Sequence, residues 1–557
     1  MLRHYRRELL RHDVQAGVAL SALLIPAGMA YAQAAGLDPV YGLYAASVPL
    51  IAYAVFGPSR VLVLGPDSSL TPLILAAVLP FVSSDPRGRI VVASALAILA
   101  GVMCVIGGVA RLGFLTDLLS LPVRYGYLTG IALTVAVGQI PKLLGVSSRS
   151  GSLFDTISDI DQGILHHSVR WESVTVGVAV VALVLLMRRW KPTVPGILLA
   201  VIGAIAASTA FGLRQRGLTM VGDLPHHLPR LVWPALTLRA ATDLVTAAFG
   251  VALVAFADTS LLSQSFARRT GSDVNPNDEL VALGFANIAS GLFQGFPVSA
   301  SASRTPVAES SGARTQLTGI VAAIVIGAVL LGAPGVFRNL PVAALAGIVI
   351  AAAIGLVELG PMVRLARIRP TEMIQGLVAF AGVAVVGAIR GVLIAVAVSL
   401  VTFFAKGWRP HITTLVRVDG FKGYHDIDRH PEGRQIPGLV LLRFDAPLFF
   451  ANVGAFRREV LRSADPNAGV RRVIVTAEPI TDIDSTATET LDDLVVELQR
   501  RGITLGFAEL KGHVREILER AGLVEQIGHE RFYRTIGEAV RAYLAEEPVE
   551  WVDWEDR

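Results

Sequence analysis

The chain is 557 residues long, enough for two or more domains, and 53% hydrophobic with 17% charged residues, against roughly 25% charged in an ordinary soluble protein. That excludes a soluble globular protein over most of its length, and a formal net charge of +4 gives no footing for nucleic acid. A single cysteine, Cys104 in an apolar run, excludes an intramolecular disulfide and reads as a small packing residue.

Charge is dense in the first dozen residues, thin through the middle and dense again after Lys406. Residues 1–12, with Arg3, Arg6, Arg7 and Arg11, read as a cytoplasmic N-terminal segment. The first apolar stretch is too long for a cleavable signal peptide. A spanning helix needs about 20 mostly apolar residues. Twelve stretches qualify: 14–34, 39–56, 90–110, 123–140, 173–187, 193–211, 243–264, 279–293, 316–332, 343–357, 373–389 and 391–405. Two shorter, interrupted stretches, 68–80 and 299–309, bring the count to about 14 crossings or half-crossings. The expected fold is a polytopic α-helical membrane protein with a transmembrane domain over 13–405.

Threading the segments puts Arg60, Arg111, Arg188, Lys191, Arg268, Arg269, Arg364, Arg367 and Arg369 on the side of the N-terminus. The long loop 212–242 carries four arginines yet falls on the other side; long loops obey the charge rule least. An even number of crossings makes both termini cytoplasmic. The interrupted stretches are third in each half of seven, the sequence sign of an inverted repeat with a binding site at mid-membrane. No residue-by-residue repeat accompanies it.

Residues 406–437 read as a polar connector and 438–546 as a small α/β domain, since buried strands such as "GLVLLRFD" and "RRVIVTA" alternate with amphipathic helices. Residues 547–557 are a tail. No phosphate loop, zinc-ligand spacing or catalytic triad is evident, so neither a cofactor nor a metal nor an enzyme is expected.

Irregular backbone at membrane depth survives only where protein or a water-filled cavity surrounds it, which singles out two stretches. In "SRVLVLGPDSSLTPLI", Gly65 and Pro66 end an extended piece and Asp67, Ser68 and Ser69 enter a helix. Asp67 either caps that helix or modulates an anion held by the first-turn N–H groups and hydroxyls. In "FPVSASASRTPV", a helix beginning near Ser299 offers Ser301, Ala302 and Ser303, small enough to let a ligand reach the backbone, and the permanent cation Arg304. Arg304 could instead pair with Glu309 or snorkel to the rim. Asp258 interrupts an otherwise uncharged segment and suits a proton carrier. The first segment breaks at Pro26 and offers Tyr31 and Gln33 as polar groups. Two half-helices aimed at each other point to a transporter of a small anion.

With "LIPAGMAYA", "AGLDPVYGLYAA", "SRVLVLGPDSS", "NDELVALGFANIASGLFQGFPVSASASRT", "SGARTQLTGIV" and the tail motif "ITDIDSTATETLDDL", the chain resembles the SulP-type anion permeases, sulfate and bicarbonate transporters with a C-terminal STAS domain. The resemblance implies a 7+7 inverted repeat split into core and gate domains, an elevator-like movement and a homodimer in the bacterial inner membrane. It places the anion near Tyr31, Ser68, Ser69, Ser303 and Arg304. Three residues depart from the family pattern. Ala27 stands where Gln is common, and Asp67 stands where many members are uncharged. Asp258 occupies a position tied to proton coupling, but Leu262 replaces the Thr that accompanies sodium coupling, and a hard cation wants that oxygen. Proton symport of sulfate is therefore expected, with H+ as coupling ion. Bicarbonate or C4-dicarboxylate transport, a channel or exchanger on the same scaffold, and a STAS-based sensor are the competing readings. The STAS domain would dock a regulatory protein, with Thr486 the matching phosphosite, although Thr486 and Glu489 also fit a helix capping box.

Overall fold

The computed structural model describes residues 7–81, 86–114, 120–146, 153–166, 168–190, 195–235, 238–270, 273–301, 303–357, 359–408 and 410–556. They fall into two compact units, Met1–Leu400 and Val401–Arg557.

The first half of the helical part comprises α1 (Leu10–Ala34), α2 (Pro39–Phe56), α3 (Thr71–Val78), α4 (Pro86–Val109), α5 (Leu121–Leu144), α6 (Leu153–Leu165), α7 (Trp171–Trp190) and α8 (Gly196–Ala210). The second comprises α9 (Leu238–Thr270), α10 (Pro276–Leu292), α11 (Arg304–Ser310), α12 (Leu317–Gly332), α13 (Val342–Leu356), α14 (Leu359–Ile368), α15 (Pro370–Ala381) and α16 (Ala388–Trp408). Prolines set several of the starts: α2, α5, α10 and α15 each carry one in their first two positions, where the missing N–H costs no bond. Among the described residues, eight helical stretches are long and apolar enough to cross a membrane, and Gly196–Ala210, Leu317–Gly332 and Pro370–Val386 are shorter apolar helices. With α10 and the short α3 and α11, they correspond to the segments expected from the sequence. The amphipathic α6 and α14 were not expected and fall in connections between segments. Nor does α1 break at Pro26: it is one 25-residue helix that carries this proline inside it, as membrane helices packed by neighbours can.

Contacts between helices repeat across the two halves. Helix α1 packs on α11 and α12 as α9 packs on α3 and α4. Helix α2 meets α12 as α10 meets α4, and α5 meets α15 as α13 meets α7, while α2·α10 and α5·α13 join counterparts. Two two-residue strands, β1 (Leu64–Gly65) before α3 and β2 (Ser299–Ala300) before α11, pair antiparallel with Leu64 opposite Ala300 and Gly65 opposite Ser299. Swapped contacts around an antiparallel ribbon are what an inverted repeat produces, although the side chains of the halves have diverged.

Even the close approaches are duplicated. A Cβ placed on Gly126 of α5 would lie 2.0 Å from the Gly376 carbonyl oxygen of α15, and one on Gly347 of α13 would lie 2.7 Å from that of Gly177 on α7. Small residues let such backbones meet. Gly126→Val should therefore lower the melting temperature in detergent, at a cost of about 3 kcal/mol from overpacking. Gly138→Val, where nothing lies within 4 Å of the added Cβ, should leave it unchanged; equal effects would refute the crossing as a constraint.

Buried Asp13 ties the two halves together. Its carboxylate accepts from Arg314 N at 2.8 Å, Thr315 N at 3.0 Å, Thr315 Oγ1 at 2.6 Å and Thr318 Oγ1 at 3.1 Å, capping α12 from α1. Asp13→Ala would orphan two part-buried amides and should destabilise the protein by about 2 kcal/mol, visible as a lower midpoint in a thermal melt. An unshifted melt would show that water replaces the cap.

The second unit is a six-stranded sheet in the order β4-β3-β5-β6-β7-β8. Strands β3 (Ile412–Arg417) and β4 (Tyr424–Asp426) are antiparallel, whereas β5 (Leu439–Phe444), β6 (Arg472–Thr476), β7 (Thr504–Ala508) and β8 (Phe532–Tyr533) run parallel. Helices α17 (Val453–Ser463), α18 (Ser485–Arg500), α19 (Gly512–Arg520), α20 (Leu523–Ile527) and α21 (Ile536–Glu546) cover it. Apolar clusters on both faces of the sheet explain why β5 and β6 read as continuous apolar runs. The stretch 406–437 is thus not only a connector, since it supplies β3 and β4. The tail also packs: Arg417 pairs with Asp553 at 2.8 Å and lies over the Trp554 ring at 5.5 Å.

Within this sheet, Asp426 accepts from Thr413 Oγ1 at 2.7 Å and lies 2.8 Å from His411 Nε2. These bonds, Thr413 foremost, hold its carboxyl down at about 2. A depressed carboxyl adds stability that is present above the ordinary carboxylate range and lost as pH falls toward 2. An NMR titration of Asp426 should find its midpoint near 2; a midpoint near the unperturbed 3.8 would contradict these contacts.

Candidate anion site at two short helices

The ribbon of β1 and β2 determines where each short helix begins. Helix α11 starts at Arg304 rather than near Ser299, because residues 299 and 300 are committed to the ribbon and Ser301 N donates to the Val63 carbonyl at 3.0 Å. The Ser301 hydroxyl then accepts from Arg304 N at 3.3 Å and lies 3.3 Å from Ser303 Oγ. Helix α3 likewise starts at Thr71, since the Asp67 carboxylate folds back to accept from Ser69 N and Ser69 Oγ, both at 3.2 Å. Asp67 therefore shapes the turn before the helix. Thr259 of α9 and Thr305 of α11 brace the ribbon, accepting from Ala300 N at 3.1 Å and Val63 N at 3.2 Å.

The expected site residues converge here. Arg304 is buried at 4% exposure, too deep to snorkel. Its Nη2 lies 3.5 Å from Asp67 Oδ2 and donates to the Pro66 carbonyl oxygen, while its Nη1 has no hydrogen-bond partner. Gly65 lets the guanidinium lie against the ribbon: a Cβ there would sit 3.4 Å from Nη1. Tyr31 of α1 is buried, lies beside Ser68 and faces Asp67 and Arg304. Ser69 also lies beside Asp258 of α9, and Ser301 lies beside Asp67. Ser68, Ser69 and Ser301 are buried and Ser303 is exposed; the Ser299 hydroxyl is buried and has no partner. Ala302 lies outside the described residues. A guanidinium donor without a partner, ringed by hydroxyls, is the chemistry that meets an oxyanion.

Two charges inside the helical part escaped the sequence analysis, Arg124 half-buried and Glu279 fully buried. Arg124, near the start of α5, places Nη2 3.7 Å from Asp258 Oδ1 and is the cation that balances it. The signal was a lone arginine inside the stretch 123–140. Glu279 of α10 is fully buried among hydroxyls, accepting from Tyr53 OH and from Ser59 Oγ and Ser263 Oγ, each at 3.1 Å. It read as part of a polar helix entrance, Asn277-Asp278-Glu279.

In the second unit Thr486 is exposed in the first turn of α18. The cap there is Asp484, which accepts from Ala487 N at 2.8 Å, so the box expected of Thr486 and Glu489 is replaced by a stronger acceptor two residues earlier.

Apolar helices in swapped halves, a ribbon at their centre and a buried cation beside it define a multi-pass membrane protein with the architecture of an anion permease. The chain belongs to the sulfate permease family: the model of that family matches residues 10–402, and the STAS domain model matches residues 430–539. It is similar to a probable sulfate transporter of Mycobacterium tuberculosis, 40% identical over 543 residues that cover 97% of this chain and 96% of the relative. It is also similar to the chloroplastic sulfate transporter 4.1 of Arabidopsis thaliana, 31% identical, covering 98% of this chain and 82% of the relative. The fold matches murine Solute Carrier 26 family member A9, an anion transporter solved in the inward-facing state, with TM-score 0.89 at 21% identity over 98% of this chain and 93% of that one.

Proposed function

We propose that the protein takes up sulfate by proton symport, binding it at Arg304 among Ser68, Ser69, Ser301 and Ser303 and using Asp258 as the proton carrier. The reading is carried by the unpartnered Nη1 of a buried guanidinium, since burying such a donor without a ligand is costly. The kinship with chains named sulfate transporters favours sulfate among the oxyanions that would fit. Proton rather than sodium coupling is favoured because Leu262, one turn after Asp258, offers no oxygen to a cation.

An elevator-like movement is supported by how the helices group. Helices α1 to α4 pack chiefly with α9 to α12, whereas α5, α7 and α8 pack with α13 and α15. The two groups could slide past each other carrying the site with the first. In this reading the protein lies in the cell membrane with both ends in the cytoplasm, and Thr486 is where phosphorylation would act on the STAS domain.

The test is a panel of labelled sulfate, bicarbonate and C4-dicarboxylate on proteoliposomes of the purified protein, with and without an imposed proton or sodium gradient. Saturable sulfate uptake that an inward proton gradient accelerates is expected. Uptake driven by sodium alone, or preference for another anion, would overturn it.

A further inference from the structure

Asp67 is left over from that scheme. It is a carboxylate inside an anion site, and an ionised carboxylate beside Arg304 occupies the cation that a substrate would need. The groups facing it come from four elements besides its own turn: Arg304 of α11, Tyr31 of α1, Asp258 of α9 and, behind Asp258, Arg124 of α5. Two arginines and two aspartates make this cluster neutral as it stands. A sulfate dianion entering it would add two negative charges at a depth where uncompensated charge is expensive.

The hydroxyl between the two aspartates points the same way. Ser69 Oγ donates to Asp67 Oδ1 at 3.2 Å and lies beside Asp258. A serine hydroxyl has one proton to donate, so the proton it gives to Asp67 is not available to Asp258.

We infer that Asp67 is a second proton carrier that competes with the substrate for Arg304, so that two protons, one on Asp67 and one on Asp258, enter with each sulfate. This rests on the sulfate–proton reading above and adds its stoichiometry. With Asp67 ionised, its carboxylate stands in for an oxyanion on the guanidinium. When Asp67 takes a proton, the ion pair is lost, and Nη1 together with the Nη2 hydrogen not given to the Pro66 carbonyl is open to sulfate. With both carboxyls protonated the loaded cluster is again neutral: the two arginines balance the dianion. Release of sulfate to the inside lets both aspartates lose their protons there and Asp67 return to Arg304.

The experiment uses the full chain in proteoliposomes with labelled sulfate, under a fixed inward proton gradient, while a potassium gradient with an ionophore sets the voltage. Wild-type uptake should be indifferent to voltage, because two protons and one dianion carry no net charge. Asp67→Asn should bind sulfate at high pH at least about 10-fold more tightly than the wild type, having lost the competing carboxylate, and should carry one proton. Its uptake should become faster when the interior is positive. A direct count, calorimetry of sulfate binding in buffers of different ionisation enthalpy, should find two protons taken up by the wild type and one by Asp67→Asn. Sulfate uptake by the wild type that is driven by protons but voltage-sensitive, or a count of one, overturns the inference while leaving sulfate–proton symport in place, and needs no variant; a count of zero overturns both. Asp67→Asn that matches the wild type in voltage response and proton count also overturns it. A wild type that neither binds nor moves sulfate overturns the underlying reading as well.

Discussion

Asp258→Asn should cut sulfate uptake driven by an inward proton gradient at least about 10-fold, leaving only the proton carried by Asp67, while exchange of internal for external sulfate without a gradient persists. The residue is buried on α9, beside Ser69 and 3.7 Å from Arg124. A proton can reach the transported species only through a group that titrates, and asparagine fills the same space without titrating. In the wild type a lower external pH raises the protonated fraction of Asp258 facing outward, so uptake rises as external pH falls. In the variant the part of this dependence that comes from Asp258 is lost and only the part from Asp67 remains. Arg124 is left without its carboxylate, adding one uncompensated positive charge near the site, so sulfate affinity should hold or increase. Intact driven uptake in Asp258→Asn would remove the residue from the mechanism.

Arg304→Ala should weaken sulfate binding about 100-fold or more. A charge-assisted hydrogen bond at a buried site is worth roughly 1.5–3 kcal/mol, and each 1.4 kcal/mol is a factor of about ten in Kd. Here the loss is compounded, because removing the guanidinium leaves the Asp67 charge facing the substrate. Adding Asp67→Asn to Arg304→Ala should therefore recover part of the affinity, a non-additivity expected of two groups in one ion pair. Calorimetric titration of the two single variants and the double variant measures this coupling. An unaltered Kd in Arg304→Ala would assign the guanidinium to holding the Pro66 carbonyl and nothing more.

Where a charge interrupts an apolar run, the sequence is informative, because burying it is costly and each instance asks for a reason. That is why Asp67, Asp258 and Arg304 stand out, and the structure gathers them around Ser69 and Ser301. Arg124 was legible by the same logic and was passed over because it falls just inside the start of its helix, where an arginine usually reaches the rim. Glu279 was hidden differently. Its surroundings depend on hydroxyls from Tyr53, Ser59 and Ser263, and no local pattern reveals partners up to 226 residues away. Asp13 is a similar case, paired with amides 301 and 302 residues further on.

Helix starts were displaced for a physical reason that a one-dimensional reading lacks. Ribbon pairing between Leu64 and Ala300 competes for the same backbone groups that an earlier helix start would use. Strands β3 and β4 were missed because "ITTLVR" and "YHD" mix polar and apolar residues and draw their stability from β5. Segment order pointed to the inverted repeat before any contact did, and the swapped packing of α1 with α12 and α9 with α4 gives that order its three-dimensional form.

The central claim is that a tetrahedral oxyanion sits where Arg304 Nη1 has no partner. Electron cryo-microscopy of the full protein in lipid nanodiscs, equilibrated with selenate, tests it directly. The account predicts density for one anion within hydrogen-bond reach of Arg304, Ser301 and the Ser68–Ser69 turn, absent from Arg304→Ala at the same concentration. Density that persists in Arg304→Ala, or an anion bound elsewhere in the membrane part while this site stays empty, would contradict it.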